Sequence, residues 1–289
     1  MRYRLSPNGN FAKQMRRLIR SINDDIALSL LRACREPETG VHEARKGCKE
    51  IRAILRLVKP HVDKADFSDN QSFYKAVSGK LAGNRDALVR TKTWNALVAE
   101  TSHLGATPAD TVTRFLSAQA QLDPLSEKGS DFFVDLALEV DSNSKSPKDW
   151  SLPESLSDLV PNLKRIYEKA RKAEKKARES DDIEDFHEFR KRSKDLFYCL
   201  RVLRPMFGKG LKSKVSQLEI LTETQGNAND FAVLMDYLIE HREALDLAEK
   251  DFEPIKHEIQ KELDKLQNRA HREVKKLLSE SSSSFIKLL

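Results

Sequence analysis

Two stretches of this chain carry the same set of chemically capable side chains. His42, Arg45, Lys46, Lys49 and Arg56 recur 145 residues later as His187, Arg190, Lys191, Lys194 and Arg201, while the position equivalent to Arg52 holds Phe197. On an α-helix turning about 100° per residue, His42, Arg45, Lys46, Lys49, Arg52, Ala53 and Arg56 fall within about 80° of His42 on either side. His187, Arg190, Lys191, Lys194, Tyr198 and Arg201 form the matching stripe in the second stretch. Imidazole N–H groups, guanidinium forks and ammonium groups together make a lining of donors, which suits phosphoryl oxygens. The opposite face of each helix is apolar: Val41, Ala44, Cys48, Ile51, Leu55 and Val58 in one, Phe186, Phe189, Leu196, Leu200 and Leu203 in the other. That is the face a helix docks on a core. Glu43, Glu50, Glu188 and Asp195 stand at the flank of the stripes.

The two stretches, 41–60 and 186–205, align without a gap and are identical at 8 of 20 positions, so they read as an internal duplication. A weaker match follows each copy: Gly83-Asn84-Arg85-Asp86 and Gly226-Asn227-Ala228-Asn229-Asp230. The chain as a whole has a formal net charge of +6, yet each copy carries six Lys or Arg against two Asp or Glu. The two helices therefore hold +8 and the rest of the chain −2. Like charges crowded on one helix face repel, and a bland solvated face would interleave signs. The concentration implies a polyanionic partner.

Other chemistries fail on spacing. The zinc pattern H-E-x-x-H would need histidine where Lys46 and Lys191 stand. Glu184 and His187 have the E-x-x-H spacing of di-iron bundles, but the first copy has Thr39 in place of the glutamate. No Gly-rich phosphate loop, nucleophile elbow or convergent carboxylate pair is present, so neither a metal, a cofactor nor catalysis is expected. Asp86 and Asp230 each stand alone and read as residues that orient an Arg or cap a turn. Three cysteines, Cys34, Cys48 and Cys199, lack C-x-x-C spacing and read as buried small hydrophobes.

The elements that must position these residues are helices. Glycine and proline number 10 each in 289 residues and 33% of residues are charged, a composition of long amphipathic helices. Residues 11–35 place Met15, Leu18, Ile19, Ile22, Ile26 and Leu30 at helical spacing, and 156–179 hold the same place in the second half. The repeated stretch follows as a second helix, stopped by Pro60 or Pro205. Third helices are predicted over 72–90 and 211–225, and others over 94–102, 109–120, 132–140, 230–247 and 253–279. No alternating strand pattern occurs. The expected fold is all-α: two similar helical bundles, about four main helices each, related by a pseudo-twofold axis. The expected division is an N-terminal half at 1–142, a polar linker at 143–153 and a C-terminal half at 154–289. Residues 1–10 carry Arg2 and Arg4 without a following apolar run, and no stretch reaches the roughly 18 apolar residues of a membrane span, so a cytoplasmic protein is expected.

At these residues the sequence resembles the CHAD family, named for its histidine-bearing α-helical domain. The shared pattern is His, Arg three residues on, Arg or Lys seven on and Arg ten on, written twice over about 11–276. The resemblance implies two four-helix bundles and a basic channel between them that binds inorganic polyphosphate without catalysis, in some members at polyphosphate granules. It implies His42, Arg45, Lys49, Arg52, His187, Arg190 and Lys194 as ligands, which Lys46, Arg56, Lys191 and Arg201 of the stripes join. Arg16, Arg20, Arg85, Asp86, Arg165, Asn229 and Asp230 are supporting candidates. The departures are Phe197, in place of a second-half Arg, and Ala82 and Gln225 in place of a Leu before Gly. No E-x-E-x-K strand of an attached triphosphatase-like domain is present, so a stand-alone member is expected. Two other readings use the same charge: a nucleic-acid binder, and a helical scaffold for an acidic protein partner.

Overall fold

The computed structural model describes residues 3–82, 84–101, 104–121, 128–144, 146–180, 182–207 and 209–287. Every regular element among them is helical. Helix α1 (Phe11–Ala33) starts at Asn10, whose Oδ1 accepts the Lys13 N–H at 2.8 Å, the cap that Asn supplies to an otherwise unbonded amide. Its Met15, Leu18, Ile19, Ile22, Ile26 and Leu30 are all buried. Helix α2 (Pro37–Val58) has Pro in its first turn, where a missing N–H does no harm, and ends in a 3₁₀ turn at Lys59–His61. Two glycines let α1 and α2 close on each other. A Cβ at Gly40 would stand 2.6 Å from the Ser29 carbonyl oxygen, and one at Gly47 would stand 2.5 Å from Ile26 Cγ1.

Helices α3 (Lys64–Lys80), α4 (Asn84–Glu100), α5 (Ala106–Gln121) and α6 (Ser130–Asn143) complete the first half. Asn23 of α1 anchors α6 by donating to the Val140 carbonyl at 2.9 Å, and Tyr74 of α3 donates to Asn23 Oδ1 at 2.7 Å. The second half runs α7 (Val160–Glu179), α8 (Ile183–Leu203), a 3₁₀ turn at Arg204–Met206, α9 (Lys209–Glu240), α10 (Arg242–Leu245), α11 (Glu249–Leu277) and α12 (Ser282–Lys287). Asp182 caps α8 by accepting the Glu184 N–H at 2.9 Å. Among the described residues no helix is long and apolar enough to cross a membrane.

The bounds differ from expectation in three places. The third helix of the first half is two, α3 and α4, where one was expected over 72–90, because the chain leaves the helix at Leu81 and Ala82. Its counterpart is longer than expected: α9 continues through Gly226 and Asp230 to Glu240. Asp230 is thus a mid-helix residue and caps no turn. The expected linker is also partly structured, with a 3₁₀ turn at Ser146–Asp149.

The chain divides into two compact units, each drawn from both halves of the sequence. One comprises Met1–Leu81, Lys128–Thr222 and Glu273–Leu289, and contains α1, α2, α3, α6, α7, α8, α12 and the first part of α9. The other comprises Ala82–Glu127 and Glu223–Arg272, with a core of Trp94, Leu97, Val112, Leu116, Leu234, Leu238, Phe252, Ile255 and Ile259. Moved by the 145-residue offset of the repeat, 82–127 falls on 227–272, so the second unit draws on corresponding positions of both halves of the sequence.

Candidate functional site

The repeated helices α2 and α8 lie in the same unit and pack against each other. The seam is tight at Ala53, which is wholly buried, and the Cys199 thiol reaches the Ala53 carbonyl at 3.6 Å. Beside it run two ion pairs. Arg56 Nη2 meets Asp195 Oδ1 at 2.5 Å, and Arg201 Nη2 meets Glu50 Oε2 at 2.6 Å. Arg56 and Arg201 are equivalent in the repeat, as are Glu50 and Asp195, so each copy presents its arginine to the carboxylate of the other. Both carboxylates are buried, Glu50 at 3% and Asp195 at 8% side-chain exposure, while the arginines keep 25% and 26%.

That arrangement departs from expectation at six residues. Glu50 and Asp195, expected at the exposed flank of the stripes, are buried partners. Arg56 and Arg201, expected on the open stripe, bridge α2 to α8, and Ala53 and Tyr198 of the stripe are buried too. The cause is one that a helical wheel cannot contain: the second helix covers this side of the first. Arg201 also lies 5.2 Å from the Phe197 ring and 5.0 Å from the Tyr198 ring, so the residue that departs from the repeated pattern packs on the guanidinium.

Toward the N-terminal ends of α2 and α8 the stripes keep their character. His42, Arg45, Lys49, His187, Arg190 and Lys194 are all half-buried, neither sealed in the core nor fully solvated. Arg45 donates through Nη1 to the Leu81 carbonyl at 3.0 Å, satisfying an acceptor at the end of α3. Arg52 Nε and Arg56 Nη1 both donate to Gln71 Oε1, at 3.3 and 3.0 Å, and Gln71 donates back to the Arg52 carbonyl at 2.8 Å. Burial, and then the neighbouring Arg56 charge, pull the Arg52 pKa below its ordinary value.

The two lysines next to the histidines behave alike. Lys46 pairs with Glu43 at 3.3 Å and Lys191 with Glu188 at 3.0 Å, each on its own helix. Glu43 also lies 3.7 Å from His42 Nε2, whereas His187 Nδ1 faces Glu184 at 3.8 Å. Burial raises the Glu188 pKa, but Lys191 and Arg192 outweigh it and hold the carboxyl below its ordinary value.

The supporting candidates scatter. Arg16 donates to the Pro147 and Trp150 carbonyls, both at 2.9 Å, and so fastens the segment after α6 onto α1. Arg165 is exposed on α7 and lines a recess beside Arg56. Arg20 is half-buried on α1. Asn229 and Asp230 belong to the second compact unit, and the side chains of Arg85 and Asp86 lie outside the described residues. Sequence reasoning passed over Gln71, Lys59, Lys169 and Arg192. The available signals were Lys59, matched by Arg204 in the repeat, and Arg192, a cation inside the second copy where the first has Gly47.

An all-helical chain with a duplicated basic helix at the heart of one unit defines the class of protein. The chain belongs to the CHAD domain family, whose model matches residues 14–239. Among solved structures it is similar to the CHAD domain from the plant Ricinus communis, with a TM-score of 0.61 and 18% identity over 94% of this chain and 95% of that one. It is also similar to PptA from Streptomyces chartreusis, with a TM-score of 0.55 and 14% identity over 97% of this chain and 100% of that one. At those identities the likeness is one of fold. No curated protein matches the sequence.

Proposed function

We propose that the protein binds inorganic polyphosphate, without catalysing a reaction on it, along the basic faces of α2 and α8. CHAD domains are associated with polyphosphate binding, and the single observation that carries the reading to this chain is its charge. Eight net positive charges on the repeated stretches 41–60 and 186–205, whose helices pack on each other, in a chain of net +6, call for a polyanion long enough to meet both. The ligands we assign are His42, Arg45, Lys49 and Arg52 with His187, Arg190 and Lys194; Lys46 and Lys191 contribute less because a carboxylate faces each. Each half of the sequence, 1–142 and 154–289, supplies one such helix, and the exchanged pairs Arg56–Asp195 and Arg201–Glu50 support a pseudo-twofold relation between the halves.

Among the described residues the aromatics on or beside the stripes of the second copy, Phe189, Phe197 and Tyr198, are buried and offer no platform for bases. This favours a phosphate chain without bases over nucleic acid. On this reading the protein resides in the cytoplasm with polyphosphate granules. Titration calorimetry with long-chain polyphosphate, followed by competition with duplex DNA, single-stranded RNA and pyrophosphate, tests it. Binding that only excess polyphosphate reverses is expected; equal competition by DNA or RNA would overturn the assignment.

A further inference from the structure

Where α2 ends, its last cations meet α7 and α8 around a recess of about 370 Å³. Arg56, Lys59, Arg165, Lys169 and Arg192 line it, with Asp195 as the carboxylate of the lining. Asp195 is already engaged with Arg56 and lies 3.5 Å from Arg192, which also pairs with Glu188 at 2.6 Å. Lys59, Arg165 and Lys169 face no carboxylate among the described residues; Lys59 lies over the Phe67 ring at 4.9 Å. Arg165 and Lys169 stand one turn apart on α7, a like-charged pair that destabilises a helix unless an anion joins it.

Duplication by itself does not account for these cations. The equivalent residues Glu50, Arg201, Arg204 and Pro205 line a second recess of about 420 Å³. There Tyr3 and Arg4 of the N-terminal segment form part of the wall, held by the Tyr3 N–H bond to Ser21 Oγ at 2.9 Å. The residues equivalent to Arg165 and Lys169 are Arg20 and Asp24, and neither lines that recess. One recess is walled by the chain's own N-terminus. The other carries Arg165 and Lys169 of α7 and Arg192 of α8 in its wall as well.

The basic face of α2 runs into the charged recess without a break, because Arg52 and Arg56 share Gln71 and Arg56 is already in the wall. An interior unit of a linear polyphosphate carries about one negative charge, whereas a terminal unit, with a second ionisation near 6 like that of a phosphate monoester, carries nearly two at neutral pH and offers three unbridged oxygens. A compact recess with three uncompensated cations matches the terminus better than the interior.

We infer that this recess receives a terminal phosphoryl group, either the end of a polyphosphate chain or a free short oligophosphate. The chain-end arm rests on the function proposed above. The test is calorimetry on the full chain with three probes: tripolyphosphate, long polyphosphate, and the same long polyphosphate with both ends capped as phosphoramidates. The wild type is compared with Arg165→Gln/Lys169→Gln, two exposed positions whose exchange is expected to leave the circular dichroism unchanged. In the wild type, tripolyphosphate binds once per chain and capping weakens long polyphosphate about tenfold. In the variant, tripolyphosphate binding falls at least about tenfold and capping makes no difference. Wild-type binding of long polyphosphate that ignores capping, with no binding of tripolyphosphate, overturns the inference and leaves the proposed function standing. Loss of tripolyphosphate in the variant, with no binding of long polyphosphate to either protein, overturns the proposed function and leaves the recess a short-oligophosphate site.

Discussion

Arg201→Met withdraws the cation from Glu50, whose carboxylate is only 3% exposed, while Glu50→Gln withdraws the charge from an arginine that keeps 26% of its surface in water. The two single variants are therefore unequal. Breaking a buried pair by removing one partner costs about 3–5 kcal/mol, and the solvent access of Arg201 moves the pair toward a part-screened one, so a loss of about 2–3 kcal/mol is expected for Arg201→Met. Glu50→Gln leaves a guanidinium whose Nη2 is buried but whose remainder reaches water, keeps an amide oxygen to face it, and costs about 1 kcal/mol. The double variant no longer buries a carboxylate deprived of its Arg201 guanidinium, and its loss falls below that of Arg201→Met alone, with a coupling of about 1–2 kcal/mol. In melting temperature the single Arg201→Met change corresponds to roughly 4–12 °C. Urea unfolding and calorimetric melts of the two singles and the double read this directly. A double variant as unstable as the sum of the singles would refute the account of Arg201 as the buried partner of Glu50. Polyphosphate titration of the same set adds a second readout: a bridging Arg201 predicts that the double variant regains affinity together with stability.

Arg45→Ala is expected to weaken polyphosphate binding by about 1.5–3 kcal/mol and Lys46→Ala by less than about 1 kcal/mol, since Glu43 already faces Lys46 and a guanidinium can bond two phosphoryl oxygens; calorimetric affinities of the two variants decide it, and equal losses would mean that net charge alone matters. Gly40→Ala should destabilise by at least about 2 kcal/mol because the new methyl meets the backbone of α1, whereas Gly79→Ala in α3 meets nothing within 4 Å and should stabilise by roughly 0.5–1 kcal/mol, both read from urea midpoints. Burial raises the Cys48 thiol to about 12 and pushes Cys199 up as well; the thiolate is the reactive form. At pH 8, then, a disulfide reagent should titrate only half-exposed Cys34 in the native protein and all three thiols in urea. Rapid native labelling of three would contradict the packing of α2 on α8.

Much of this protein was legible in its residues taken in order. The apolar spacing of α1, the stop at Pro60 and Pro205, and the doubled His-Arg-Lys pattern are local signals, and local signals settle helix type, approximate ends and which side of each helix is basic. The polyanion reading came from the same source, because charge is countable before folding. What α2's wheel could not contain was its neighbour. Arg56 and Asp195 are 139 residues apart, and only the packing of α8 on α2 turned one end of a basic stripe into a pair of bridges and buried Glu50 and Asp195. The break between α3 and α4, against the unbroken α9, was likewise invisible to periodicity, since both copies carry glycine near the same place. The repeat announced two halves, yet each compact unit takes segments from both. Periodicity records what one helix requires of its surroundings; which segment meets that requirement is settled by contacts between residues far apart in sequence.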